Sequence, residues 1–121
     1  MKAIRSAIVV ALLQFGTVVA YADTVRVIDG DTIAYGGVTY RINGIDAPEH
    51  GQKCGKWVGG KAATQAMVNL VDGKTVDCSV LSTDGYGRSI ADCDVRGQSV
   101  GAAMVEMGLA WAFVKYSNKY V

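Results

Sequence analysis

The tightest constraint on this chain is a run of period two that directly follows two glycines. Val38, Tyr40 and Ile42 alternate with Thr39, Arg41 and Asn43, the pattern of a half-buried strand. Gly36-Gly37 stands before it. Two residues free to take positive φ between apolar runs close a tight hairpin. The run at 31–35 is then the partner strand. Tyr35 faces Val38, so Thr32 faces Arg41, and Arg41 emerges beside the start of the partner strand, away from the apolar face.

A second hairpin is expected further on. Asp84-Gly85-Tyr86-Gly87 reads as a turn between strands at 74–80 and 88–95. If Thr83 faces Arg88, counting outward places Cys78 opposite Cys93. Two outcomes are open there, a cross-strand disulfide or two buried thiols. Cys54 has no obvious partner, and a zinc site from His50 and the cysteines lacks Cys-x-x-Cys spacing. Around the hairpins, 25–28 reads as a strand. Segment 46–53, with Pro48 and Gly51, reads as a loop. The stripe Trp57, Ala63, Met67, Leu70 and Val71 predicts a helix over 54–71. Gly59 and Gly60 weaken it by ~1 kcal/mol each relative to Ala, and Asp72-Gly73 ends it. A shorter helix is expected over 98–107, with Val100, Met104 and Met107 inward and Gly108 as its stop. An extended piece at 109–114 follows. The order is β-β-β-α-β-β-α, an α+β, mostly β arrangement in which a small barrel or partly open sheet carries packed helices.

Composition narrows the setting. The 121 residues are 50% hydrophobic and 19% charged, which excludes disorder from low hydrophobicity and high charge and matches one domain. Residues 1–22 read as an export signal. Lys2 and Arg5 open it, an apolar run from Ala7 to Ala20 follows, and Ala20-Tyr21-Ala22 gives a small-x-small cleavage pattern. The apolar run is short for a membrane span of ~20 residues. This division leaves 23–121 as the folded domain, secreted or periplasmic, with no membrane attachment after cleavage. The net charge is +1, and slightly negative without Lys2 and Arg5. A bulk basic surface is therefore not what would bind a polyanion.

No Gly-x-x-x-x-Gly-Lys-Ser/Thr phosphate loop, Gly-x-Ser-x-Gly elbow or EF-hand loop is present, and one histidine excludes a paired-histidine metalloprotease. What remains is Asp29-Gly30-Asp31-Thr32, Arg41, Asp46-Ala47-Pro48-Glu49 and Tyr86-Gly87-Arg88. Each piece alone is an ordinary turn or loop. Together they put carboxylates and two arginines at strand ends and in loops, where sites tend to sit. Carboxylates without soft ligands suit a hard cation such as Ca²⁺ or Mg²⁺. Arginines suit a phosphate, and a further carboxylate suits a general base.

Val27-Ile28-Asp29-Gly30-Asp31-Thr32, Arg41-Ile42, Gly44-Ile45-Asp46-Ala47-Pro48-Glu49 and Asp84 with Tyr86-Gly87-Arg88 resemble the staphylococcal nuclease-like (thermonuclease) family. Residues 101–113 also resemble the helix and strand that follow the second hairpin there, so the resemblance covers about residues 24–121. It implies an OB-fold five-stranded barrel with packed helices. It also implies a Ca²⁺-dependent phosphodiesterase that cuts DNA and RNA and leaves 3′-phosphate ends. One Ca²⁺ would be held by Asp31, Asp46 and the Ala47 carbonyl. Some members carry a hydroxyl residue at the Ala47 position, which a carbonyl ligand does not need. Glu49 would activate water, and Arg41 and Arg88 would hold the phosphate. Tyr86, Phe113 and Tyr116 fall where members contact the nucleotide, with packing as the alternative for these three. A single-stranded or frayed substrate and a monomer are the further expectations. Members usually continue into a C-terminal helix, so an inactive truncated fragment is one alternative reading. A non-catalytic single-strand-binding barrel is the other.

Overall fold

The computed structural model describes residues 9–14, 16, 24–113 and 119–121. Most of the expected export signal and Tyr116 lie outside the described residues. Among the described residues no helix is long and apolar enough to cross a membrane.

β1 (Arg26–Asp29), β2 (Thr32–Tyr35) and β3 (Val38–Ile42) form an antiparallel meander. The register is the one the glycine pair dictates, with Tyr35 opposite Val38 and Thr32 opposite Arg41. Gly36 and Gly37 both have positive φ, as that turn demands. Ile33 and Ile42 are fully buried, whereas Val38, at the turn, is exposed. Tyr35 and Tyr40 stack at 4.7 Å between ring centroids. Burial, followed by the hydrogen bond with Tyr40 and the nearby Asp77, pushes the Tyr35 hydroxyl up to about 12.

β4 (Ile45–Asp46) follows at once, so the segment expected as a loop from 46 onward begins inside a strand. Helix α1 (Gly59–Val71) starts five residues later than the apolar stripe suggests. Cys54 and Trp57 instead exchange backbone hydrogen bonds across a reverse turn, 2.9 and 3.0 Å, with Gly55 at positive φ. Trp57 is half exposed and outside the stripe, while Ala63, Met67 and Val71 are buried. The two glycines thus sit at the helix start.

β5 (Val76–Thr83) and β6 (Ser89–Val95) form the second hairpin. Thr83 pairs with Ser89, not Arg88, and a bulge between Val80 and Ser82 absorbs the difference. Cys78 therefore still faces Cys93, and the two are joined by a disulfide. β7 (Gln98–Ser99) pairs with the end of β6, and Ser99 caps α2 (Val100–Glu106) by accepting from the Ala102 N–H at 3.1 Å. Val100 and Met104 are buried. Met107 lies beyond the helix and is exposed, contrary to the sequence pattern. Gly108 carries the positive φ of a helix stop. β8 (Trp111–Ala112) pairs with β4.

The main sheet runs β1-β2-β3-β6-β5, with β3 and β6 parallel. Five principal strands with α1 and α2 packed on a core of Ile33, Ile42, Ile45, Met67, Val100 and Met104 give an OB-fold-like α+β domain. The curl of the sheet shows at Tyr35 in β2, which lines one pocket with Val76 of β5.

Candidate active site

The site begins at the β1–β2 turn. Gly30 is packed so closely that an added Cβ would lie 2.7 Å from the Ala63 Cβ and 3.0 Å from that of Ala47. Only glycine lets this turn meet α1 and the chain after β4. Asp31 sits at its end, almost fully buried. One carboxylate oxygen accepts from the Thr32 hydroxyl at 2.8 Å and the other from the Ala47 N–H at 3.0 Å. Those bonds satisfy a buried anion that would otherwise be costly.

Arg41 reaches the same place from the neighbouring strand, as its register opposite Thr32 requires. Its Nη2 lies 3.6 Å from Asp31 Oδ2 and 3.4 Å from Asp46 Oδ1. Its Nη1 donates to the carbonyls of Ile45 and Ile42 at 2.9 and 3.2 Å. One guanidinium thus bridges both carboxylates and is held by backbone acceptors. Burial raises the Asp46 pKa, and the negative charge of Asp31 adds to this, while Arg41 opposes both. A site that crowds two carboxylates against partial burial favours a cation beside them.

The carboxylates of Asp31 and Asp46, both held by Arg41, offer oxygen-only donor chemistry that fits a hard divalent cation, while the Ala47 backbone atom that meets Asp31 is its N–H. Among the described residues no three His, Cys, Asp or Glu side chains gather as a metal cluster.

Glu49 is exposed on the following loop. The loop is pinned at three points. The Glu49 N–H donates to the Gln52 side chain at 3.1 Å, and the Gln52 N–H returns to the Glu49 carbonyl at 2.8 Å. The His50 N–H donates to Asp29 at 2.8 Å, so Asp29 ties β1 to this loop. The Gly60 N–H donates to the Gln52 carbonyl at 3.0 Å. A Cβ on Gly60 would run into the carbonyls of Glu49 and His50.

Arg88 stands one residue before β6, at the tip of the second hairpin, its Nε 2.6 Å from Asp84 Oδ2. Arg41, Arg88, Tyr86 and Phe113 line one cleft of about 380 Å³ together with Asn43, Gly44 and Ile45. The Arg88 guanidinium lies 5.7 Å from the Tyr86 ring centre and that of Arg41 lies 6.0 Å from Phe113. Tyr86 is almost fully exposed. Phe113 is brought in by its N–H donating to the Gly44 carbonyl at 2.8 Å.

The arrangement groups Asp31, Arg41 and Asp46 in direct contact, with Ala47 bonded to Asp31. It places Arg88, Tyr86 and Phe113 on the cleft that Arg41 shares. Comparison with known proteins then decides the family. The sequence pattern described as "Staphylococcal nuclease homologue" matches residues 39–121. This chain belongs to the staphylococcal nuclease homologue family. Among its relatives is an "Uncharacterized endonuclease" of Escherichia coli O157:H7, 37% identical over 94% of this chain and 77% of that protein. A "Micrococcal nuclease" of Shigella flexneri is 31% identical over 93% of this chain and 71% of its own length. An "Uncharacterized endonuclease" of Haemophilus influenzae is 30% identical over 78% and 53%.

Within this staphylococcal nuclease homologue, sequence reasoning missed the residues that hold the site from behind. Gly60 and Gln52 fix the Glu49 loop. Asp84 holds Arg88, and the sequence signal for it was an acid directly before Gly85 and Gly87. Asn43, which also lines the cleft, donates to Asp92 at 3.1 Å, and Asp92 pairs with Lys119 at 3.0 Å. Nothing in local sequence links those three.

Proposed function

We propose that the chain is a nuclease, a Ca²⁺-dependent phosphodiesterase that hydrolyses DNA and RNA to 3′-phosphate products. The observation that carries this reading is the Arg41 side chain. It bridges Asp31 and Asp46 and also lines the cleft it shares with Arg88. The names borne by the relatives support the same reading.

Asp31, Asp46 and the Ala47 carbonyl would hold the cation, which when bound supplies positive charge against the phosphate oxygens. Glu49 takes the proton of the attacking water. The new bond forms between that water's oxygen and phosphorus, and the bond from phosphorus to the 5′-oxygen breaks, the leaving oxygen taking a proton from solvent to become the 5′-hydroxyl. Arg41 and Arg88 donate to the phosphate as negative charge spreads over its oxygens, with Arg88 on the side of the leaving oxygen. Tyr86 and Phe113 offer aromatic faces to bases, which favours single-stranded or frayed substrate. The Cys78–Cys93 disulfide supports work in an oxidising compartment. We extend the proposal to export by residues 1–22 and to action as a monomer.

The test is cleavage of single-stranded DNA by the purified protein with Ca²⁺ and with chelator. Cleavage only with Ca²⁺ is expected, together with a loss of about 10²–10³ in rate for Arg88→Ala or Arg41→Ala. Binding without cleavage would favour a non-catalytic barrel. Full activity in a variant carrying both Glu49→Gln and Arg88→Ala would refute the mechanism.

A further inference from the structure

The Asp84–Arg88 loop is built as a clasp around one side chain. Asp84 Oδ1 accepts from the Tyr86 and Arg88 N–H groups, both at 2.9 Å. Its Oδ2 accepts from Arg88 Nε at 2.6 Å. The Asp84 N–H in turn donates to the Arg88 carbonyl at 3.0 Å. A single carboxylate therefore folds the backbone of the turn and grips the arginine at the turn's end. The turn lies at a hairpin tip, where chains are usually least constrained.

The choice of nitrogen matters. A guanidinium offers five N–H donors in a fixed fork. Holding it through Nε commits the inner edge and leaves the Nη1–Nη2 edge as the parallel pair that suits a phosphate. The ion pair is partly exposed, with the two side chains at 33% and 15%. Water screens it, so the acid withdraws only part of the cationic field of Arg88. An arginine also has large rotamer freedom to lose. Fixing it before substrate arrives removes that loss from the reaction itself.

We propose that Asp84 is a positioning residue for Arg88, orienting the guanidinium so that its outer edge faces the cleft shared with Arg41. Its effect on rate rests on the nuclease reading given above, whereas the grip itself does not. Desolvation alone would raise the Asp84 pKa, but the Arg88 backbone and side-chain hydrogen bonds and the Tyr86 N–H bring it below the ordinary value, in keeping with a carboxylate that stays charged in the clasp.

Asp84→Asn separates the two tasks of this residue. Its amide oxygen can still accept both backbone N–H groups, but its NH₂ faces Arg88 Nε donor to donor. Two measurements test the proposal. In the first, arginine Nε–H exchange with water is followed by NMR. Arg88 should exchange more slowly than exposed Arg26 and Arg96 in the wild type, and as fast as they do in Asp84→Asn. In the second, Asp84→Asn, Asp84→Glu, Arg88→Ala and the Asp84→Asn/Arg88→Ala pair are compared on single-stranded DNA with Ca²⁺. Asp84→Asn should lower kcat about tenfold or more with KM nearly unchanged. Asp84→Glu should recover part of the loss, and Asp84→Asn should add nothing once Arg88 is gone. Fast wild-type exchange at Arg88 would overturn the proposal, and so would an equal Asp84→Asn penalty with and without Arg88. A wild type that cleaves nothing would overturn the nuclease reading and the rate effect, with slow exchange at Arg88 still upholding the grip.

Discussion

Replacing Gly60 with alanine tests how the Glu49 loop is held. By helix propensity alone the change should stabilise α1 by ~1 kcal/mol. The structure reverses the sign. The added Cβ would lie 2.6 Å from the His50 carbonyl oxygen and 2.7 Å from the Glu49 carbonyl carbon, with the Glu49 oxygen closer still. Backbone cannot yield as a side-chain tip does, so the loop must retreat by ~2 Å at the Glu49 carbonyl to restore contact distances of ~3.5 Å. Overpacking of this kind costs about 1–3 kcal/mol. Loosening the hydrogen bonds between Gly60, Gln52 and Glu49 adds ~1 kcal/mol. Set against the propensity gain, the net loss is about 2 kcal/mol, or roughly 8–16 °C in Tm for a domain of this size. A displacement of even ~1 Å in Glu49, the proposed general base, can also cost about 10²-fold in rate. Thermal melting and kcat on single-stranded DNA with Ca²⁺ are the assays. Gly51→Ala is the control, since it lies in the same loop and its Cβ would meet nothing within 4 Å. A Gly60→Ala protein that melts at or above the wild-type temperature with full activity would refute the reasoning.

The remaining expectations concern the disulfide and the titrating groups. Reducing Cys78–Cys93, which are 15 residues apart, should remove about 3 kcal/mol by loop entropy and lower Tm by roughly 12–24 °C; a shift of only a degree or two would show that the ladder holds without it. Asp46→Asn should abolish cleavage yet leave the metal-free protein at least as stable. The folded-state pKa of Asp46 is raised, so its charge works against folding above that pKa and not below the unfolded value; a marked fall in metal-free Tm at neutral pH would contradict this. Alkaline titration followed by tyrosinate absorbance should show one late step at about 12, absent in Tyr35→Phe. Because the fold keeps that proton longer than the unfolded chain does, stability should fall as pH climbs past about 10 toward 12.

Local pattern made the hairpins legible. Gly36-Gly37 between alternating residues leaves one register, and that register brings Arg41 to the Asp31–Thr32 strand start. The Cys78–Cys93 juxtaposition was legible too, although the count from the turn was one residue off and the bulge at 80–82 restored it. The start of α1 was less legible, because the stripe continues back to Trp57 while Gly55 and the Cys54–Trp57 turn break the helix first. Met107 looked inward by spacing, yet α2 stops at Glu106 and leaves it exposed.

What the sequence by itself determined is which chemical groups are present and which strands carry them. Asp31, Arg41, Asp46, Glu49 and Arg88 stand beside turn residues whose backbone preferences are local, and local preferences can be read from neighbours. Only the tertiary structure decided how those groups are held. Arg41 spans two carboxylates, one from the β1–β2 turn and one from β4, Asp29 reaches His50 across 21 residues, and Gly60 must lack a side chain because a loop carbonyl occupies its place. Steric exclusion and hydrogen bonding act between atoms that the chain brings together from afar, and no periodicity within one segment records them.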